Sequence, residues 1–298
     1  MSSDLERLIR RVEQVLERFE ATLRQPHAAP DWKKGLAYRW RKRGNTGFLQ
    51  AVSHLHKIRL SDLQGIDSQI KLIEQNTRQF LEGLTANNVL LTGARGTGKS
   101  SLVKALLNKY SSKGLRLIEV DKQDLMDLPD IVDLIADVPH KFILFCDDLS
   151  FDADEPGYKA LKVILDGSIS ATSENLLIYA TSNRRHLMPE FMQENLETKY
   201  LGEEIHPGES VEEKISLSER FGLWVSFYPF DQDEYLTIVD YWLGQLGVSE
   251  RERGAGARNE ALQWALTRGS RSGRVAWHFA RDWAGRHGIL ASPSRKTS

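Results

Sequence analysis

Residues Gly93-Ala94-Arg95-Gly96-Thr97-Gly98-Lys99-Ser100 fit the phosphate-loop pattern G-x-x-x-x-G-K-[ST]. Glycines let backbone N–H groups converge on anionic oxygens, a lysine adds a point charge, and a serine hydroxyl can coordinate Mg²⁺. At average residue frequencies, the four fixed positions arise by chance in about one chain of this length in a hundred. The flanks agree with the pattern. Residues 88–92 read as a short buried strand, and 101–107, opening at Ser101, read as a helix. A strand, a glycine loop and a helix N-terminus together turn free N–H groups and the helix dipole toward an anionic ligand.

Two further strands end in residues suited to phosphoryl chemistry. The apolar run 142–146 runs into Asp147-Asp148. A carboxylate at that tip, beside a phosphate loop, can hold Mg²⁺ directly or through water. Asp147 is the candidate for the magnesium side, and Asp148 for polarising the attacking water. The run 176–181 leads into Ser182-Asn183, whose amide can hold that water or touch a γ-phosphate. A guanine-specific enzyme would carry Asn-Lys-x-Asp here. The run Asn183-Arg184-Arg185-His186 argues against GTP. Arg220 lies between a helical stretch and a strand, and Arg274 opens the last helix after Gly273. A cation at a helix N-terminus opposes the dipole and calls for a compensating anion, which a phosphate supplies. A small-molecule kinase using the same loop is a competing reading. Cys146 reads as a small buried apolar residue, not a nucleophile.

These residues need a scaffold, and the rest of the pattern supplies one. Strand-like runs at 88–92, 115–120, 141–146, 176–181 and 223–227 alternate with helical segments at 67–81, 101–107, 130–136 and 158–169. Asp67 is placed to cap the first of these helices and Gly83 to close it. Mostly apolar strands alternating with helices imply an α/β fold, a parallel sheet covered on both faces. After Pro229, helices at 233–243, 259–267 and 274–285 follow with no strand between them, predicting a small all-α lid. Four segments result: an N-terminal helix and basic-aromatic arm over 1–60, a nucleotide-binding core over 61–229, the lid over 230–290, and a disordered tail over 291–298.

The N-terminal helical extension carries Leu5, Leu8, Ile9, Val12, Val15, Leu16, Phe19 and Leu23 at helical spacing. Its stripe suits docking on the main body or on another subunit or partner. The arm Trp32-Lys33-Lys34-Gly35-Leu36-Ala37-Tyr38-Arg39-Trp40-Arg41-Lys42-Arg43 interleaves six cations with three aromatics. It suits phosphate contact and base stacking, hence a nucleic-acid partner, with a protein partner also open; the alternative is a solvated basic linker whose aromatics pack on the core. Net charge is -1, so no global field seeks polyanions. One cysteine excludes an internal disulfide and suits a reducing compartment. No apolar run reaches membrane-spanning length, and the first 24 residues are too charged for a secretory signal. The expectation is a cytoplasmic protein with no membrane partner.

Taken in order, the phosphate loop, the strand ending in two acids, the strand ending in Asn, the Ser-x-Arg-Phe turn and the Gly-Arg of the lid resemble the AAA+ ATPase superfamily over about residues 60–285. More narrowly, the chain is similar to an uncharacterised bacterial AAA+ family sharing the CDDLSF and LSxRFGL stretches. The resemblance implies ATP and Mg²⁺ as ligands. It gives Lys99 the β- and γ-phosphates, Ser100 and Asp147 the metal, Asn183 and Arg274 the two sensor positions, and Gly65-Ile66 the adenine contact. Arg220 matches the finger that reaches a neighbouring subunit's site, which implies a homo-oligomer. The implied function is ATP hydrolysis that remodels or loads a macromolecule. The alternative is a slow ATP-dependent switch or helper, because Asp148 stands where the superfamily usually has the longer Glu. Residues 121–128 lack the aromatic-apolar-Gly loop of peptide-threading members, which favours a loader, remodeller or switch.

Overall fold

The computed structural model describes residues 11–13, 30–44, 46–151, 156–166, 174–183, 199–201, 204–206 and 217–289. The chain divides into two units, residues 1–32 and 33–298. In the first unit, residues 11–13 are helical. The rest of the helix expected over 4–24 lies outside the described residues, as do the tail 291–298 and the run 184–186.

The second unit is built on a sheet of seven described strands. They are β1 (Ala37–Arg43), β2 (Thr46–Ala51), β3 (Val89–Gly93), β4 (Leu115–Glu119), β5 (Lys141–Cys146), β6 (Leu176–Ser182) and β9 (Leu223–Phe227). Their order across the sheet is β2-β1-β4-β5-β6-β3-β9. Two short strands, β7 (Lys199–Leu201) and β8 (Glu204–His206), pair separately as an antiparallel hairpin. Within the large sheet β1 and β2 are antiparallel, and the other pairings are parallel. The parallel strands β3 and β5 are almost wholly buried, which is why they read as unbroken apolar runs.

Helices α1 (Asp67–Leu81), α2 (Lys99–Tyr110), α3 (Leu128–Ile135) and α4 (Pro156–Asp166) belong to the sheet domain. Helix α2 buries Leu102, Val103, Ala105, Leu106 and Leu107 in the same apolar cluster as Val89, Leu91, Ile143 and Phe145 of the sheet. Full burial of each large aliphatic side chain contributes roughly 1.5–3 kcal/mol, so the helix behind the phosphate loop is firmly seated. Helix α1 is tied to β6 by polar groups. The Asn76 amide donates to the Tyr179 hydroxyl at 3.1 Å, and Thr77 Oγ1 lies 2.8 Å from the same oxygen. Burial pushes the Tyr179 phenol up to about 12. Asp67 does not cap α1: the cap position is Ile66, with no side-chain bond, and Asp67 sits in the first turn, where its charge still faces the dipole favourably.

The first two strands depart from the expected segmentation. The stretch read as an arm before a core starting at residue 61 is instead a β-hairpin completing one edge of the sheet. Tyr38 and Trp40 are buried, while Arg39 and Arg41 point the other way, toward acids of β4 and the turn after it. The Trp40 ring packs over Gly47, where any added Cβ would lie 1.9 Å from the ring.

Helices α5 (Gln232–Gln245), α6 (Ala255–Arg268) and α7 (Gly273–Arg286) form the expected all-α bundle. Asp231 and Glu234 make a reciprocal capping box at the start of α5. The Tyr235 hydroxyl donates to Ala261 O at 3.1 Å, joining α5 to α6.

Gly93 sits where β3 gives way to the phosphate loop. Its φ is +124°, and a Cβ there would lie 1.9 Å from the Phe227 carbonyl oxygen of β9. Both the conformation and the close approach require glycine. Gly93→Ala is expected to lower unfolding free energy by about 3 kcal/mol or more. A urea titration checks this; an unchanged midpoint and slope would refute it.

Candidate functional site

The C-terminal tips of β3, β6 and β5 lie side by side, with Thr92 paired to Ser182 and Cys146 to Ala180. This register brings the phosphate loop, Asn183 and Asp147-Asp148 to one edge, the usual ligand site of an open α/β sheet. A cavity of about 1020 Å³ opens there, between the loop and the helical bundle. Its walls include Arg95 through Ser101, Asp147, Asp148, Asn183, Ile66 and Arg274.

The loop is held by its own bonds. Gly98 adopts φ +102° as the cap of α2, and Gly96 adopts φ +75°. Thr97 Oγ1 donates to Ala94 O at 2.9 Å. Gly96 also touches the bundle: its carbonyl accepts from Gly273 N at 2.9 Å, and a Cβ on it would lie 2.8 Å from Ser272 Oγ. The N-termini of α2 and α7 therefore meet at the loop, and Arg274 stands in the first turn of α7 on the cavity wall.

Lys99 is 5% exposed. Its Nζ donates to Gly93 O and Ala94 O, each at 2.7 Å, and to Asn183 Oδ1 at 3.1 Å. Asn183 in turn donates through Nδ2 to Asp148 Oδ1. Ser100 Oγ donates to Asp147 Oδ1 at 2.6 Å. Arg95 approaches Asp148 at 3.9 Å with both side chains largely exposed, a contact of little energetic weight. Asp148 has φ +55°, the one positive φ among the described non-glycine residues.

Burial lowers the Lys99 ammonium to about 8, against the opposing pull of Asp147 and Asp148. The ordinary value is 10.5, so between about pH 8 and 10.5 Lys99 holds its proton more fully in the unfolded chain than in the folded one. Its own contribution to the stability of the ligand-free protein should therefore rise with pH across that window, while Cys146, raised from 9.0, contributes in the opposite sense above about pH 9. An arriving phosphate favours the charged amine. Binding near pH 8 should take up a proton, and affinity should fall as pH rises past 8. Calorimetry in two buffers of different ionisation enthalpy measures this; zero proton uptake at pH 8 would refute it.

Ser100 and Asp147 offer a hydroxyl and a carboxylate, hard oxygen donors that suit Mg²⁺ rather than a thiophilic metal. Among the described residues, no group of three or more His, Cys, Asp or Glu is placed to hold a metal. Cys146 is buried, and burial pushes its thiol up to about 12, consistent with an inert core residue.

Other expected residues fall elsewhere. Gly65 precedes Ile66 with φ +75° and faces Phe230, off the cavity wall. Gly93 and Ala94 contribute carbonyls to Lys99 but do not line the cavity. Arg220 also lies off that wall and pairs with Asp166 at the end of α4. Sequence reasoning missed Trp242 and Trp277, whose tilted rings lie 4.6 Å apart on the cavity wall, and Thr181 beneath the two acids. The tryptophans sit on helices at spacings that read as ordinary packing, so their position signals nothing until α5 and α7 meet.

In the arm, Arg39 bonds Glu119 at 2.7 Å, Arg41 bonds Asp121 at 3.0 Å, and Lys42 bonds Asp127 at 2.7 Å. Trp40 Nε1 donates to Asp127 at 2.8 Å. Of these four side chains, Trp40 packs in the core and the three cations pair with acids of the same chain. No helix among the described residues is long and apolar enough to cross a membrane.

The mostly parallel sheet, phosphate loop and helical bundle have the fold shared by AAA+ P-loop proteins. Solved structures agree at the level of fold. A proline-to-glycine mutant of Thermotoga maritima RuvB matches with TM-score 0.50 and 16% identity, covering 79% of this chain and 69% of that one. A second RuvB variant from the same organism, an arginine-to-alanine change, matches with TM-score 0.50 and 14% identity over 78% and 66%. The chain thus spans about two thirds of these relatives' length. No curated protein matches the sequence. The family described as "Protein of unknown function (DUF815)" matches residues 33–287, and the chain belongs to it. That span takes in the β1–β2 hairpin together with the core and the bundle.

Proposed function

We propose that this chain binds ATP with Mg²⁺ in the cavity between the loop and the bundle and hydrolyses the terminal phosphoanhydride. The observation that carries the reading is Lys99, a buried ammonium held at the loop and linked through Asn183 to Asp148. In this reading, the loop N–H groups and Lys99 grip the β- and γ-phosphates, and Ser100 with Asp147 holds Mg²⁺. Bound Mg²⁺ neutralises developing charge on the phosphate oxygens. Asp148 accepts a proton from the attacking water while Asn183 orients it. Arg274 faces the phosphates from α7, and Ile66 lies against the base.

Arg220 completes the site of a neighbouring copy, so the active form is a homo-oligomer that remodels or loads a macromolecule. The lid over 230–290, moving as a unit on the loop, belongs to the same proposal. The test is calorimetry with ATP and Mg²⁺, together with steady-state phosphate release. Absence of any complex at millimolar ATP removes the whole reading.

A second reading, a slow switch, draws on Asp148. Its side chain is one methylene shorter than Glu, which reduces its reach to the water. Turnover of about 1–100 s⁻¹, the range of typical kinases, would remove it.

A further inference from the structure

We propose that Thr181 is a positioning residue for both acids of the site: one buried hydroxyl sets the carboxylate of Asp147 and the backbone of Asp148. The inference rests on the proposed ATP-Mg²⁺ chemistry and adds a residue to it.

Thr181 lies near the end of β6, is 2% exposed, and still reaches the cavity wall. Its Oγ1 donates to Asp147 Oδ1 at 2.6 Å and accepts from Asp148 N at 2.9 Å. Its carbonyl accepts from Leu149 N at 2.6 Å. The two peptide N–H groups on either side of the Asp148 Cα are thus clamped by a single residue. That matters because a non-glycine residue at φ +55° persists only where its surroundings over-determine it.

The same hydroxyl selects the working oxygen of Asp147. Ser100 Oγ and Thr181 Oγ1 both donate to Oδ1. No described protein donor bonds Oδ2, the oxygen that would then be open to hold Mg²⁺ directly or through water. A threonine suits the task. Its branched Cβ restricts χ1 in a strand, and the hydroxyl has a donor and an acceptor to give. Valine has the same shape and neither.

The test compares Thr181→Val with Thr181→Ser. ATP affinity is measured by calorimetry in EDTA and again with Mg²⁺, and turnover is measured against Mg²⁺ concentration. Loss of an outer positioning contact typically changes metal affinity or activity 10–100-fold. Thr181→Val should bind ATP in EDTA within about twofold of wild type. Its half-saturating Mg²⁺ should rise about tenfold and its kcat fall about 100-fold. Thr181→Ser should recover both to within about threefold. Thr181→Ala, which needs no added room, replaces the valine variant if that does not fold.

Wild-type Mg²⁺ dependence and turnover in Thr181→Val would overturn the proposal. So would a Thr181→Ser variant as impaired as Thr181→Val, since the methyl packing would then be what matters. A wild-type protein that fails to bind ATP even in EDTA would overturn the underlying ATP reading instead.

Discussion

Lys99→Ala is expected to reduce ATP turnover about 10²–10³-fold, the scale of losing a charge-stabilising donor at a reacting centre. Binding should weaken as well. A hydrogen bond to a charged partner contributes about 1.5–3 kcal/mol, and Lys99 is placed to serve two phosphates. The same variant should not lose thermal stability at pH 7. Burial makes the ammonium an unfavourable guest in the ligand-free fold, which is why it is held down to about 8. Removing it relieves that penalty, and the space vacated by the Lys99 side chain, which lines the cavity, admits water to the carbonyls of Gly93 and Ala94. A melting temperature at or above wild type, combined with lost turnover, marks a residue kept for its ligand and not for the fold. Turnover near wild type would end the assignment of Lys99. A large drop in melting temperature would show that its three hydrogen bonds are mainly structural.

The parts of the fold legible in the sequence are those where local pattern and burial agree. Strand β5 reads at 141–146 and β9 at 223–227, the same bounds as in the structure, because each is a short apolar run with turn residues around it. Helix α1 reads from its end signals, Asp67 as cap and Gly83 as closer, and the structure places the cap one position earlier, at Ile66. The hairpin β1–β2 is not legible. In β1, charged and aromatic residues alternate with period two, which also fits a solvated, ligand-seeking arm. What decides the matter is a set of acids about 80 residues away, at Glu119, Asp121 and Asp127, which neutralise Arg39, Arg41 and Lys42. Nothing local announces such partners.

The site shows the same division. The phosphate loop and the two acids are short motifs whose chemistry dictates their spelling. Thr181 is an ordinary β-strand residue by type, and its importance appears only when the register of β6 against β5 brings it under Asp147 and Asp148. Trp242 and Trp277 stand far apart in sequence on different helices, so only the packing of α5 against α7 makes them one wall.

Arg220→Ala is expected to leave ATP affinity within about twofold of wild type yet lower turnover about 10³-fold, the low end of what an arginine finger supplies. The turn that carries Arg220 is fixed: Leu217 and Ser218 are fully buried and Phe221 is 3% exposed, so the backbone there has little freedom. The side chain is 24% exposed, off the wall of its own chain's cavity, and braced by Asp166. A braced cation away from its own site is suited to serve a neighbour's. Mixing separates this from a structural role. Lys99→Ala subunits retain Arg220, and Arg220→Ala subunits retain Lys99. A head-to-tail contact therefore completes a site wherever an Arg220→Ala subunit receives a Lys99→Ala neighbour. With random assembly at equal amounts, about a quarter of sites are complete. Two inactive proteins should then yield measurable turnover that peaks at the equal mixture. If the mixture stays inactive under conditions where wild-type subunits exchange, Arg220 acts within its own chain. Full turnover in Arg220→Ala alone would remove it from the chemistry altogether.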